Sequence, residues 1–106
     1  MNATEKATLD RFKELVQQRL PLHKMVLFGS RARGDANPES DVDVLVILSG
    51  PADSAERDSV SECAWEAGFE QGIVVVPVTV SRSEWEDGPL SSSLLAIAVE
   101  REGVLV

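Results

Sequence analysis

Leu9, Phe12, Leu15, Val16 and Leu20 recur at steps of three and four, the spacing of one helix face. Asn2 followed at the third residue by Glu5 has the form of a capping box, so the pattern predicts an amphipathic helix from residue 3 to about 19, ended by Pro21. The run Met25-Val26-Leu27-Phe28 is continuously apolar and stops at Gly29, which suits a strand buried on both faces. Residues 29–40 turn polar, with Gly34, Asn37 and Pro38 marking a loop whose first residues suit a helical turn from Ser30. Residues 41–48 read as a second strand, ended by Ser49-Gly50-Pro51.

Further on, Asp53 and Glu56 cap a helix whose apolar face is Val60, Cys63, Ala64 and Ala67, with Gly68 as its stop and Trp65 packed at its edge. Residues 73–80 are almost all β-branched and read as a third strand, with Pro77 placing it near a sheet edge. After a capped turn at residues 81–84, Pro89 opens a last helix with Leu90, Leu94, Ile97 and Ala98 on one face. Gly103 closes it, and residues 104–106 suit a short strand. The order α-β-β-α-β-α predicts an α/β (α+β) class, a small mixed sheet flanked by helices. The first two strands have no crossover helix between them and are expected as neighbours rather than a parallel pair.

The 106 residues fit one domain, 1–106, with 43% hydrophobic and 26% charged residues and so material for one modest core. Marginal stability makes a partner subunit or an oligomer unsurprising. Ten basic against eighteen acidic residues give a net charge of -8, which argues against generic nucleic-acid binding. Any phosphate site must be a local patch, and Arg31-Ala32-Arg33 is the compact basic cluster beside other suggestive residues. A lone cysteine forms no internal disulfide, no run of about eighteen apolar residues is present to span a membrane, and the first residues lack the apolar core of a signal peptide. A cytoplasmic location is expected, which leaves the sequon Asn2-Ala3-Thr4 without consequence.

Asp41 and Asp43 stand two apart on a strand, so their side chains share a face at about 7 Å backbone spacing and both can serve one site. Paired carboxylates on a face that continues as Leu45 and Ile47 are costly unless a cation neutralises them, and hard oxygen ligands select Mg²⁺ or Mn²⁺. An exposed strand start would explain the pair equally well. Gly29-Ser30 sits where a strand ends and a helical turn begins, where free backbone N–H groups favour an anion. Glycine admits a phosphate close to the backbone and the serine hydroxyl can donate to it, although an ordinary turn also accounts for a Gly-Ser pair. The chain has no Walker A pattern, which removes the P-loop reading.

The combination is more specific than its parts. A strand, then Gly29-Ser30-Arg31-Ala32-Arg33-Gly34, a short polar loop and Ser40-Asp41-Val42-Asp43-Val44 resembles the signature of the DNA polymerase β superfamily. It is most similar to the minimal nucleotidyltransferase (MNT) branch, and the resemblance covers nearly the whole chain. It implies that Asp41 and Asp43 hold the metal ions bridging a nucleoside triphosphate, that Gly29 and Ser30 hold its β and γ phosphates, and that Arg31 or Arg33 neutralises charge. It further implies Mg²⁺ or Mn²⁺ as cofactor, ATP as substrate, AMP transfer to a hydroxyl, and a small helical HEPN toxin as the protein partner that an antitoxin modifies. The chain's acidity argues against a polynucleotide acceptor and its shortness against a drug, which leaves a protein acceptor.

One departure qualifies that implication. Active members of the superfamily carry a third carboxylate on a later strand, and residues 73–80 hold no acid; Thr79 is the polar side chain there. Glu70, Glu84, Glu86 and Asp87 flank the strand, where surface acids and helix caps are the simpler account. The alternative is therefore a catalytically impaired, nucleotide-binding antitoxin or regulatory subunit acting by contact. His23 has no second histidine to share a metal, and Cys63 falls on an apolar helix face as a buried thiol. Trp65 and Trp85 are expected as packing anchors, and either becomes a candidate partner contact if exposed.

Overall fold

The computed structural model describes residues 2–29, Ala32 and residues 41–106, and its first element is helix α1 (Ala3–Arg19). Asn2 caps it: the side-chain oxygen accepts the Glu5 N–H at 2.8 Å, and the Asn2 amide donates to the Glu5 carboxylate at 3.1 Å. Strands β1 (Leu22–Phe28) and β2 (Val42–Leu48) follow, then helix α2 (Ser54–Phe69) and strand β3 (Val75–Ser81). The chain ends in a short helix α3 (Arg82–Glu86), a 3₁₀ turn at Pro89–Ser92, helix α4 (Leu94–Glu102) and strand β4 (Val104–Leu105).

The four described strands form one mixed sheet in the order β3-β2-β1-β4. β1 lies antiparallel to β2 and to β4, while β2 lies parallel to β3 with α2 as the crossover, as the missing helix between the first two strands required. β3 is an edge strand, the place where Pro77 removes a donor at no cost to a ladder.

Both faces of the sheet are covered. Met25, Leu27, Val42, Val44, Val46 and Leu48 face a core built with α1 and α2, centred on Phe12, Val16, Val60 and Cys63. Val26, Leu45, Ile47 and Val80 face a second core, against which Phe28, Val78, Trp85, Leu90, Leu95 and Val99 pack. Residues 25–28 of β1 and 44–48 of β2 are continuous apolar runs because their successive side chains enter different cores.

Three details depart from the sequence reading. Gly68 does not stop α2, which runs on to Phe69; the chain turns at Gly72, where φ is +66°. Gly68 is needed for another reason: its carbonyl accepts N–H bonds from Gln71 and Ile73, and a Cβ there would run into the Ile73 carbonyl. Gly68→Ala is expected to lower unfolding stability by about 1–3 kcal/mol, read as a lower urea midpoint with an unchanged slope. Trp65 does not pack at the helix edge but is 67% exposed, since it lies about 100° around the helix from the buried Ala64. Finally, the expected last helix is broken in two. Ser93 donates to the Leu90 carbonyl at 2.7 Å and accepts the Ala96 N–H at 3.2 Å, ending one turn and capping the next. The buried face of α4 is thereby Ala96 with Leu95 and Val99 beside it, while Leu94 is 85% exposed and Ile97 is also exposed.

Candidate functional site

β1 delivers Phe28 opposite Asp43 of β2, and the chain leaves the sheet at Gly29 with a φ of +78°. That left-handed value is one that glycine adopts without strain. The carboxylate of Asp43 lies directly over the glycine: a Cβ built on Gly29 would stand 2.6 Å from Asp43 Oδ2. Only a hydrogen fits between the acid and the turn. The acid therefore faces the glycine turn, which is the juxtaposition that the sequence pattern implied.

Asp41 is exposed and immediately precedes β2, two residues from Asp43 and so on the same side of the strand. The same side continues as Leu45 and Ile47, both completely buried in the second core. The two acids consequently differ. Burial against this apolar floor pushes the Asp43 carboxyl above its ordinary value of 3.8, and the neighbouring Asp41 charge pushes it further in the same direction.

A raised folded-state value means that the folded protein binds a proton at Asp43 more readily than the unfolded chain does. Asp43 therefore opposes folding above its raised pKa, and the penalty disappears as the pH falls through that value toward 3.8. Stability of the metal-free protein, measured by denaturant unfolding across that window, is expected to gain on the Asp43→Asn variant as the pH is lowered. A difference between the two proteins that is flat with pH would contradict the assignment.

β3 completes the floor of the site. Val76 is in register with Asp43, and the Val74 carbonyl accepts the Val42 N–H at 2.9 Å, so Val74 and Val76 hold the positions beside the two aspartates. Both are exposed valines. Among the described residues no group of three or more His, Cys, Asp or Glu side chains comes together as a metal site. The flanking acids are engaged elsewhere: Glu84 accepts the Ser81 N–H at 3.2 Å as a helix cap, and Glu86 meets Arg82 at 3.1 Å. Ser81 pairs with Leu48, at the opposite end of β2 from Asp43. Glu70 and Asp87 are exposed at the ends of α2 and α3.

Of the other residues named from sequence, Ser30, Arg31 and Arg33 lie outside the described residues, and Gly29, Asp41 and Asp43 are brought together. His23 is exposed, and Cys63 is buried in the first core, where burial raises its thiol pKa. Trp85 is half-buried against the second core. The difference between Asp41 and Asp43 was not visible in the Asp-x-Asp pattern, because it comes from the register that sets Phe28 and Gly29 against Asp43 alone. No described helix is long and apolar enough to cross a membrane.

Known proteins resemble this chain in sequence and in fold. A protein named as a protein adenylyltransferase, from Methanocaldococcus jannaschii, is 32% identical over 62 residues, which are 58% of this chain and 63% of that protein. The chain thus spans under two thirds of the length of that relative. A chain of a toxin-antitoxin crystal structure with AMP-PNP superposes with a TM-score of 0.62 at 21% identity, covering 91% of this chain and 69% of the other. A chain from the Shewanella oneidensis complex of a tri-AMPylated HEPN toxin with MNT antitoxin gives 0.55 at 19% identity, covering 96% and 70%. These likenesses establish the fold. The family model described as "Nucleotidyltransferase domain" matches residues 9–106, a span that takes in α1 from Leu9 onward, both aspartates and every described strand, and the chain belongs to that family.

Proposed function

We propose that this chain transfers a nucleoside monophosphate, AMP from ATP, to a hydroxyl of a protein partner, as the antitoxin of a HEPN/MNT toxin-antitoxin pair. The observation that carries the reading is the Asp43 carboxylate seated on the Gly29 turn, with Asp41 on the same face. A strand end that sets one acid against a side-chain-free turn, with a second acid on the same face, offers one side to a cation and the other to a phosphate. In support, a sequence relative carries the name protein adenylyltransferase, and complexes of the same fold include one with AMP-PNP and one with an AMPylated HEPN toxin.

The donor set fits a hard divalent cation. Asp41 and Asp43 are oxygen ligands, and burial first and the neighbouring Asp41 charge second already raise the cost of ionising Asp43, which a cation relieves. Bound there, Mg²⁺ or Mn²⁺ would neutralise triphosphate charge and favour pyrophosphate as a leaving group. Gly29 would admit the phosphates close to the backbone, Ser30 would donate to a phosphate oxygen, and Arg31 or Arg33 would balance the remaining charge. The acceptor hydroxyl oxygen would then bond to the α-phosphorus as the bond to the bridging oxygen breaks, pyrophosphate leaving and the hydroxyl proton passing to solvent, and the protein's contribution is mainly positioning and electrostatics.

The test is to incubate the chain with ATP, Mg²⁺ and the product of the adjacent gene, and to weigh that product. A mass gain of one or more AMP groups, lost with Asp41→Ala and Asp43→Ala together, is the expected result. A stable complex with no gain would sink the transfer reading.

One observation favours a second reading, a catalytically impaired antitoxin that binds the nucleotide and silences its partner by contact. Val74 and Val76 occupy the two β3 positions beside the aspartates and supply no third oxygen ligand. Val76→Asp would add a carboxylate in register with Asp43, and Mn²⁺ affinity, followed by electron paramagnetic resonance, is expected to rise roughly tenfold. An unchanged affinity would mean that this part of β3 does not face the cation.

A further inference from the structure

The apolar surface beside the site is continuous with a second feature that the transfer chemistry leaves unused. Trp65 and Phe69, one turn apart on α2, are each 67% exposed and stacked with ring centroids 4.8 Å apart. A groove of about 480 Å³ runs from them across Ala64 and Gly68 to the start of β3, where it is lined by Val74 and Val76. Val74 and Val76 are 60% and 37% exposed. The groove thus begins at two stacked aromatics and ends beside Asp43, with which Val76 is in register. Two large aromatics left in water beside an edge strand form a contiguous apolar patch of the kind that marks an interaction surface.

Charge decides between occupants. α2 carries four acids, Glu56, Asp58, Glu62 and Glu66, against the single base Arg57, and Glu62 and Glu66 stand beside Trp65 with Arg19 at 3.7 and 3.1 Å. A second copy would bring the same acidic helix and a further net charge of -8 to this face. A partner presenting an apolar ridge rimmed by lysine and arginine meets neither penalty.

We propose that the protein bearing the acceptor hydroxyl docks here, its apolar ridge on Trp65 and Phe69 and its hydroxyl-bearing segment led along Val74 and Val76 to the two aspartates. This rests on the protein-acceptor reading above. The positions beside Asp43 are apolar, on this view, because they are contact surface for the incoming polypeptide.

The test uses the full chain with the product of the adjacent gene, titrated against wild type and against a Trp65→Ala, Phe69→Ala double variant. Both side chains are largely in solvent, so the variant keeps its core, and its binding of Mg²⁺-AMP-PNP serves as the check on folding and on the nucleotide site. Partner affinity is expected to fall roughly tenfold or more in the variant and to weaken with salt in wild type, with nucleotide binding unchanged. Equal partner affinity in both proteins would overturn the docking surface while leaving transfer to that partner intact. No binding by wild type would instead remove the protein-acceptor reading and the docking surface with it. A concentration-dependent dimer of wild type, dissolved in the variant, would assign the groove to a second copy and also overturn the proposal.

Discussion

Asp43→Asn is expected to reduce the proposed AMP transfer by roughly a thousandfold or more, because a cation held by the two carboxylates would supply several kcal/mol of charge stabilisation and each 1.4 kcal/mol is about tenfold in rate. The amide keeps the shape of the side chain and one oxygen but loses the charge that draws the cation. Stability should move the other way. The Asp43 carboxyl is raised above 3.8 first by burial and then by Asp41, so at neutral pH its ionised form is held at a cost in the folded state. Removing that charge should leave the melting temperature equal or higher. Loss of activity together with loss of fold would instead mean that Asp43 serves the structure. Asp41→Asn, at an exposed position on the same side of the strand, should also cost activity.

The second large effect is expected at Gly29. Alanine there must adopt a φ of +78° and place its methyl where the Asp43 carboxylate now lies, 2.6 Å from Oδ2. The left-handed backbone alone costs about 1–2 kcal/mol, and displacement of the carboxylate should weaken Mg²⁺-nucleotide binding by roughly tenfold or more. Asparagine separates the two causes, since it tolerates a positive φ better than alanine and still carries a Cβ. If the collision with Asp43 governs binding, Gly29→Asn recovers part of the stability and none of the affinity. Recovery of both would show that backbone strain alone was responsible.

The elements that could be read from sequence are those whose signal is local. The bounds of α1 follow from Asn2, the apolar spacing and Pro21, and the bounds of β2 from a largely aliphatic segment between Asp41 and the Ser49-Gly50-Pro51 breaker. The edge position of β3 followed from one proline. The misreadings share a cause, namely that periodicity counts apolar residues without knowing what each one meets. Leu94 and Ile97 fit a helical face that Ser93 rotates away from the sheet by starting a new helix. Trp65 fits the edge of α2 but projects past it, and Gly68 looks like a helix stop although its role is to let Ile73 approach. At the site, the Gly-Ser and Asp-x-Asp motifs named Gly29, Asp41 and Asp43, whereas the pairing of Phe28 with Asp43 and of Val76 with Asp43 is a property of strand register that no motif encodes.

The titration of Mg²⁺-AMP-PNP into the wild-type chain and into the Asp41→Asn, Asp43→Asn double variant bears most directly on whether two acids and a glycine turn hold a triphosphate. Saturable one-site binding that requires the divalent ion and vanishes in the variant is the result expected. Binding of equal strength in both proteins, or in wild type with and without the ion, would contradict it.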